Sequence, residues 1–329
     1  MSLDSPHDAL FKEIFSDPRN AAVELRAVLP PEITAAVDWN SLRIEPGSFV
    51  EVADASRFAD LLFSAEIAGA RSFLYLLFEH QSSPDRFMPL RLLGYMLRKW
   101  EQCLRQEPRP LHLPPIVPVV LHHSAGGWNS PLSLHELFDT GLLQNLHLTE
   151  LTPSFRFVLD DLSLKTDAEL LERATRESER LVPVVLWALR DARAHERFLA
   201  SLSAWAGAIA EAHQAPSGAD ALRAVFSYIA RVTELLSPHA ILTAIEQVAP
   251  QTKDIVMTLA EQWLQQGIQK GIEKGIEKGE RALLVKLLTL KFGALDDSYR
   301  TRLDSAPPAL LEIWAERVLT ATTIYDVFT

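Results

Sequence analysis

A run of aromatic and aliphatic residues extends from Phe73 to Phe78 and ends abruptly at Glu79. An uncharged apolar run of this length predicts a buried central strand. A second apolar run begins directly after Asp60, and a Gly-Ala pair at residues 69–70 lies between the two runs. The pattern therefore predicts a β-hairpin with an acidic residue near the open end of each strand.

The register of this hairpin would follow from a two-residue turn at Gly69 and Ala70, because glycine readily adopts the positive φ that such turns need. Asp60 would then lie opposite Glu79. Opposed side chains on one face have Cβ atoms about 4.5–5.5 Å apart. Two carboxylates at this distance repel each other, and a Mg²⁺ or Mn²⁺ ion between them would remove the repulsion. The alternative is that Asp60 is an exposed strand start and Glu79 a strand end.

The rest of the pattern predicts an α/β core with a mixed sheet, followed by helices only from Asp167 onward. In the helix predicted after the hairpin, a stripe of large apolar residues shares one side. That stripe consists of Leu90, Leu93, Leu97, Trp100 and Leu104. The predicted elements of the core are helices at 6–15, 19–29 and 87–104, and strands at 42–50, 116–121 and 155–159. Pro118 has no N–H, so the strand that contains it is expected near a sheet edge or at a bulge.

A four-residue Gly-Ile-x-Lys repeat follows the predicted helices. Each glycine weakens a helix by roughly 0.5–1 kcal/mol relative to alanine, so the repeat is expected to be a hinge or a weak helix. A dimerising helix and a low-complexity linker are the two alternatives. The expected domains are an α/β core at 1–165, an α-helical region at 166–265, the repeat at 266–279 and a small helical module at 280–329.

The amino-acid composition limits the cellular compartment in which the protein is expected. Its 329 residues include one cysteine, Cys103, which excludes an intramolecular disulfide and fits a reducing compartment. No apolar run approaches the roughly 18 residues that span a bilayer, and the N-terminus lacks the form of a signal peptide. A soluble, cytoplasmic protein without a membrane partner is expected.

The formal net charge of −11 argues against nucleic acid as a partner, because binding to phosphates usually requires a basic surface. The segment 86–105 reverses this balance locally, with five basic residues against Glu101 alone. Arg91, Arg98 and Lys99 are the candidates in this segment for contact with a DNA backbone.

Two further groups of residues could ligate a metal. His122 and His123 follow one predicted strand, and Asp160 and Asp161 follow another. Histidines at a strand end and aspartates in a turn are the ordinary alternatives. The chain has no GxxxxGK[ST], GxGxxG, GxSxG or HExxH sequence, which argues against nucleotide-binding, serine-hydrolase and zincin functions.

An acidic residue, an apolar strand ending in Glu-x-Gln and then a helix resemble the D…(D/E)-x-K core of the PD-(D/E)xK nuclease superfamily. Four segments resemble the Rpn family of recombination-promoting nucleases, whose members are also labelled transposases. These segments are Pro6–Lys12, Asp60–Phe63, Tyr75–Pro84 and Met88–Leu92. The strand at 115–122 and the module from about 280 to 328 are also similar to that family. The resemblance implies a restriction-endonuclease-like α/β core and a DNA partner.

The resemblance further implies that Asp60 and Glu79 hold a catalytic Mg²⁺, for which Mn²⁺ could substitute. Gln81 stands where the superfamily usually has lysine, as is common in this family. A neutral amide can orient the attacking water or the scissile phosphate but supplies no positive charge, so more of the charge stabilisation would fall on the metal.

The function implied by the resemblance is Mg²⁺-dependent cleavage of DNA, linked to recombination or mobile elements. One alternative is a nuclease-like DNA-binding or assembly module that forms homo-oligomers through the helical C-terminal region. Another is a strand-joining transposase, although the chain shows no helix-turn-helix with a basic recognition helix.

Overall fold

The computed structural model describes residues 5–45, 59–79, 84–176, 179–233 and 238–329. The chain forms two compact units, Met1–Leu259 and Ala260–Thr329, while the finer division at residues 165, 265 and 279 stays a prediction. Within the described ranges, no helix combines the length and the apolar character needed to cross a membrane.

A five-stranded mixed sheet with the strand order β1-β2-β3-β4-β5 lies in the first unit. β1, β2 and β3 pair with one another in antiparallel fashion, whereas β4 pairs in parallel with β3 and β5 pairs in parallel with β4. The strands are β1 (Val37–Ile44), β2 (Ala59–Ile67), β3 (Ala70–Glu79), β4 (Ile116–His122) and β5 (Val158–Asp161). The predicted buried central strand is confirmed as β3, because Phe73 through Phe78 are at most 3% exposed.

The turn between β2 and β3 is formed by Ala68 and Gly69, with φ values of 51° and 77°. Two central residues with positive φ are characteristic of a type I′ turn, whose twist matches that of the flanking strands. The turn therefore lies one residue earlier than predicted. Asp60 pairs with Leu77, so the predicted pairing of Asp60 with Glu79 was wrong. The partner of Asp60 is thus Leu77 instead of Glu79, a change of two positions along β3. Because side chains alternate between the two faces, Leu77 and Glu79 share one face, so Asp60 and Glu79 are still expected on the same side of the sheet.

Helices cover both faces of the sheet. On one face, Met88 and Leu92 of the helix after β3 pack against Phe73, Tyr75 and Leu77. On the opposite face the ring of Phe11 stacks on that of Phe78, with centroids 5.0 Å apart. The helices of the first unit are α1 (Pro6–Phe15), α2 (Pro18–Val28), α3 (Pro31–Ala36), α4 (Met88–Gln106), α5 (Thr140–Asn145), α6 (Asp167–Leu171), α7 (Leu181–Asp191), α8 (His195–Gln214), α9 (Gly218–Val232) and α10 (Pro238–Val248).

The side of α4 that packs on the sheet is not the stripe of large apolar residues seen in the sequence. Met88, Leu92 and Met96 are buried, whereas Leu90 and Leu97 of the stripe remain 53% and 50% exposed. The helix therefore presents apolar side chains to the sheet and to its outer surface.

The strand predicted around Pro118 is β4, and its proline sits where the sheet tolerates it. β5 pairs only with Val119–His122, so the part of β4 that contains Pro118 has no neighbour on that side. The missing N–H therefore costs no ladder hydrogen bond. β5 begins at Val158, later than predicted, and β1 begins at Val37, earlier than predicted. Residues 46–50 of the strand predicted at 42–50 lie outside the described residues.

A buried ionic cluster ties α2 to the end of β5. Arg173 donates to Glu24 at 2.7 Å and to both carboxylate oxygens of Asp160 at 2.7 and 2.8 Å. Burial raises the pKa of Glu24 from 4.5 to about 8, although the charge of Arg173 opposes the shift. One guanidinium thus faces two buried carboxyl groups, of which Glu24 keeps its proton at neutral pH.

The second unit is helical and has its own core. Leu288, Leu303, Trp314 and Phe328 are among the side chains buried in it. Its helices are the part of α11 (Lys253–Phe292) after Leu259, α12 (Asp297–Ser305), α13 (Pro308–Thr320) and α14 (Ile324–Phe328). The Gly-Ile-x-Lys repeat lies inside α11, so it is helical despite its glycines.

We expect Glu24→Gln to flatten the pH dependence of stability between about pH 4.5 and 8. The folded chain keeps the Glu24 proton across this window, whereas the unfolded chain releases it above about pH 4.5. In the wild type this group's stabilising contribution is complete below pH 4.5 and is lost as pH rises to about 8, by at most about 1.4 kcal/mol per unit. Urea unfolding at several pH values measures the slope.

The matched control is Glu32→Gln, because Glu32 is exposed in α3. This variant should keep the wild-type slope. An unchanged slope in Glu24→Gln would contradict the assignment of the retained proton to Glu24.

Candidate active site

Asp60 lies near the start of β2, on the face of the sheet that α4 covers. Its strand neighbour Leu62 and the residues Tyr75 and Leu77 of β3 belong to the apolar cluster beneath α4. Because side chains alternate along a strand, Asp60 and Leu62 share this face. The hairpin therefore places the Asp60 carboxylate next to the apolar cluster beneath α4.

The Asp60 carboxylate is held by a tyrosine. The hydroxyl of Tyr75 donates to Oδ2 of Asp60 at 3.1 Å. Burial raises the pKa of Asp60, while the bond from Tyr75 and the charge of Lys12 in α1 oppose that rise. Burial and the neighbouring Asp60 raise the pKa of Tyr75 as well, so the phenol remains a proton donor. Within the described part of the chain, Asp60 forms no ion pair.

Glu79 is the last residue of β3, and its backbone pairs in parallel register with His122 of β4. It lies two positions beyond Leu77, the partner of Asp60, which makes it a diagonal neighbour of Asp60 across the strand pair. The side chain of Glu79 and the whole of Gln81 fall outside the described residues. Their roles as ligand and catalytic residue stay predictions.

A series of ring contacts and hydrogen bonds continues from Tyr75 into α4. The rings of Tyr75 and Tyr95 lie 5.6 Å apart. Arg91 donates to the Tyr95 hydroxyl at 3.3 Å and to Oδ2 of Asp85 at 2.9 Å. The Arg98 guanidinium lies 5.6 Å from the centroid of the Tyr95 ring. Two of the predicted DNA contacts, Arg91 and Arg98, therefore converge on Tyr95, whose ring lies beside that of Tyr75, the partner of Asp60.

Lys99 has a different environment from that predicted. Its side chain is buried, its Nζ donates to Glu45 at 2.8 Å, and it lies 4.3 Å from the centroid of the Phe73 ring. An ammonium group enclosed in this way holds β1 and α4 together rather than facing DNA. We therefore correct the prediction for Lys99 and assign it a structural role.

Three of the other predicted metal candidates, Asp160, Asp161 and His123, are engaged in structural contacts, and the buried ring of His122 packs edge-on against Trp128. Asp161 accepts from the backbone N–H groups of Trp128 and Ser163 at 2.7 and 3.0 Å, and Asp160 is paired with Arg173. His123 bonds through Nδ1 to the Leu189 carbonyl at 2.8 Å. Among the described side chains, which exclude that of Glu79, no three His, Cys, Asp or Glu residues are grouped to hold a metal.

The residues of this site fit a hard divalent cation as far as they are described. Asp60 offers carboxylate oxygen, the donor that Mg²⁺ and Mn²⁺ prefer. Its hydrogen-bond partner is a neutral phenol and not a cation, so the charge of Lys12 acts on the ionised carboxylate without forming an ion pair with it. The remaining protein ligand would be Glu79, at the adjacent strand end.

Sequence reasoning missed Tyr75 and Tyr95. The signal for Tyr75 was present, because Tyr75 and position 79 differ by an even number and so share a face of β3. Tyr95 gave no comparable signal, since its place beside Tyr75 depends on how α4 docks on the sheet.

The hairpin, the parallel extension of the sheet and the helices on both faces define a restriction-endonuclease-like α/β core, as predicted. Residues 5–219 match the family described as "Putative transposase, YhgA-like". The chain belongs to this family, and the Rpn resemblance of its sequence is confirmed.

Three relatives from Escherichia coli (strain K12) show the extent of the similarity. The recombination-promoting nuclease RpnC is 29% identical over 168 residues, covering 51% of this chain and 54% of RpnC. The inactive recombination-promoting nuclease-like protein RpnE is 31% identical over 173 residues, with the same coverage of 51% and 54%. The recombination-promoting nuclease RpnA is 24% identical over 267 residues, covering 80% of this chain and 84% of RpnA.

The chain thus spans about half the length of RpnC and RpnE, and more of RpnA. No solved structure matches the chain.

We expect Lys99→Met to reduce stability by about 1–3 kcal/mol, because it removes the nearer charged partner of the largely buried Glu45 and leaves only Arg71 at 3.8 Å. The same variant should leave the salt dependence of DNA binding unchanged. Arg98→Ala, the comparison, should reduce the salt slope by about one if Arg98 contacts a phosphate. Urea unfolding and fluorescence anisotropy at several salt concentrations measure the two effects. A reduced salt slope in Lys99→Met would restore Lys99 as a DNA contact.

Proposed function

We propose that this protein is a metal-dependent DNA endonuclease that uses Mg²⁺, with Mn²⁺ as a substitute. The observation that carries the proposal is the half-buried Asp60 carboxylate, which a tyrosine holds and which has no ion pair within the described residues. The names of RpnC and RpnA as recombination-promoting nucleases support it. A link to recombination or mobile elements is proposed from those names and from the family description alone.

Asp60 and Glu79 are the proposed ligands of the cation. When bound, a divalent cation lowers the pKa of a coordinated water and offsets the negative charge that develops on the phosphate. Gln81 would orient the water or the scissile phosphate through its amide. The water oxygen would attack phosphorus as the phosphorus–ester oxygen bond breaks; one proton of the water would pass to the leaving oxygen, and the remaining hydroxyl would stay on the new phosphate monoester.

The proposed DNA contacts are Arg91 and Arg98, both of which contact Tyr95 of α4. Arg91 is held by Asp85 and Tyr95, so its guanidinium is oriented before DNA binds. Contacts of this kind fix the position of the duplex without reading its sequence. A protein with a net charge of −11 needs such a local basic surface to bind DNA.

Asp60→Asn should reduce Mg²⁺-dependent cleavage of plasmid DNA at least about 100-fold, because metal stabilisation of the transition state is worth several kcal/mol. The substitution keeps the size of the side chain and its ability to accept from Tyr75. Conversion of supercoiled DNA to nicked and linear forms measures the rate.

Asp38→Asn is the matched control, since Asp38 is an exposed aspartate of β1. This variant should cleave at the wild-type rate. Equal rates for Asp60→Asn and the wild type would refute the site assignment.

The second candidate function is a nuclease-like assembly or DNA-binding module. The specific observation in its favour is a stripe on α11, where Ile268, Ile272 and Ile276 are 55%, 51% and 56% exposed. A glycine directly precedes each of these isoleucines in the sequence. The space beside Gly271 and Gly275 is open, because a Cβ atom at either position would have no other atom within 4 Å. The name of the inactive relative RpnE also favours a function without cleavage. We propose that this stripe pairs two copies of the chain.

Ile272→Lys should shift the protein from an oligomer to a monomer at micromolar concentration, because it places a charge in the apolar stripe. Gln269→Lys adds the same charge at another exposed position of α11 and should keep the oligomer. Size-exclusion chromatography with light scattering measures the mass. A monomeric wild type, or an oligomer that survives Ile272→Lys, would contradict the pairing.

A further inference from the structure

The contact between Tyr75 and Asp60 points to a role for Tyr75 beyond filling the core. Tyr75 is 3% exposed in the central strand, among the apolar side chains beneath α4. Its hydroxyl reaches the edge of that layer and donates to Oδ2 of Asp60 at 3.1 Å. A phenylalanine would fill the same space, so the hydroxyl serves the hydrogen bond alone.

The geometry restricts the Asp60 carboxylate in a way that suits a metal ligand. The hydrogen bond from the phenol to Oδ2 restricts the rotation of the Asp60 carboxylate, and Oδ1 lies outside that bond. Partners behind a ligand commonly fix its orientation in this manner, and their loss typically lowers metal affinity or activity 10- to 100-fold.

The tyrosine is itself held in place. Leu62 and Leu77 pack in the same cluster as its ring, and the Tyr95 ring lies 5.6 Å from it. Tyr95 in turn accepts from Arg91, which Asp85 also holds. Few rotamers are open to a side chain enclosed in this way, so its hydroxyl presents a fixed donor to Asp60.

We propose that Tyr75 is a positioning residue, whose hydroxyl orients the Asp60 carboxylate for a divalent cation. This inference rests on the proposed function, because it assumes that Asp60 is a metal ligand. The alternative is that Tyr75 is purely structural. In that case Asp60 serves only as the hydrogen-bond acceptor that the buried Tyr75 hydroxyl requires. The two roles differ in what the loss of the hydroxyl does to metal binding by a folded protein.

The test is the affinity of the metal-free, full-length protein for Mn²⁺, followed by the electron paramagnetic resonance signal of free Mn²⁺. Tyr75→Phe should bind Mn²⁺ about 10- to 100-fold more weakly than the wild type, with circular dichroism unchanged. In DNA cleavage, the Mg²⁺ concentration for half-maximal rate should rise by a similar factor, while the rate at saturating Mg²⁺ falls much less.

Tyr228→Phe is the matched control, because it also removes one buried hydroxyl, which is bonded to His7 at 2.8 Å. This variant should keep the wild-type Mn²⁺ affinity even where it lowers the melting temperature. Equal Mn²⁺ affinities for Tyr75→Phe and Tyr228→Phe would overturn the positioning role.

Asp60→Asn separates this inference from the proposed function. If Asp60→Asn loses Mn²⁺ binding while Tyr75→Phe keeps it, the positioning role fails and the metal site stands. If Asp60→Asn binds Mn²⁺ as the wild type does, or the wild type binds none, the metal assignment fails and the inference fails with it.

Discussion

The type I′ turn at Ala68 and Gly69 sets the register of the β2–β3 hairpin, and the candidate active site depends on that register. A slip of one residue in the pairing of two strands would turn Asp60 away from the face that α4 covers. It would also separate Asp60 from Tyr75 and from the end of β3. A local backbone conformation thus determines whether a carboxylate meets its partners several residues away.

The kind of hydrogen-bond partner distinguishes Asp60 from the other carboxylates around the sheet. Asp160 is paired with Arg173, Asp161 accepts from two backbone N–H groups, and Glu45 is paired with Lys99. Each of these contacts compensates a desolvated charge and thereby stabilises the fold. The described hydrogen-bond partner of Asp60 is a neutral phenol instead, and the charge of Lys12 acts on Asp60 without forming an ion pair with it.

The core of the fold was accessible from sequence because its signals are local. The uncharged run from Phe73 to Phe78 could only be a buried strand or a buried helix segment, and its length favoured the strand. The turn was misplaced by one residue, because glycine serves either position of a tight turn and Ala68 gives no sign that it adopts a positive φ. Pattern alone could not show which side of α4 would be buried, since both sides carry large apolar residues.

The site was predictable in part for the same reason. Alternation along β2 and β3 indicated that Asp60 and Glu79 share a face, and that relation survives the corrected register. The enclosure of Lys99 by Glu45 and Phe73 was not predictable, because it depends on contacts between residues far apart in the chain. The bond from Tyr75 to Asp60 was not predicted either, although alternation along the strands places both side chains on one face.

The central claim is that Asp60 and Glu79 share a divalent cation. Crystals of the wild-type protein grown in Mn²⁺, with diffraction recorded at the manganese absorption edge, test this most directly. We expect an anomalous peak that contacts the carboxylates of both Asp60 and Glu79. Manganese bound elsewhere only, with none at the Asp60 carboxylate, would contradict it.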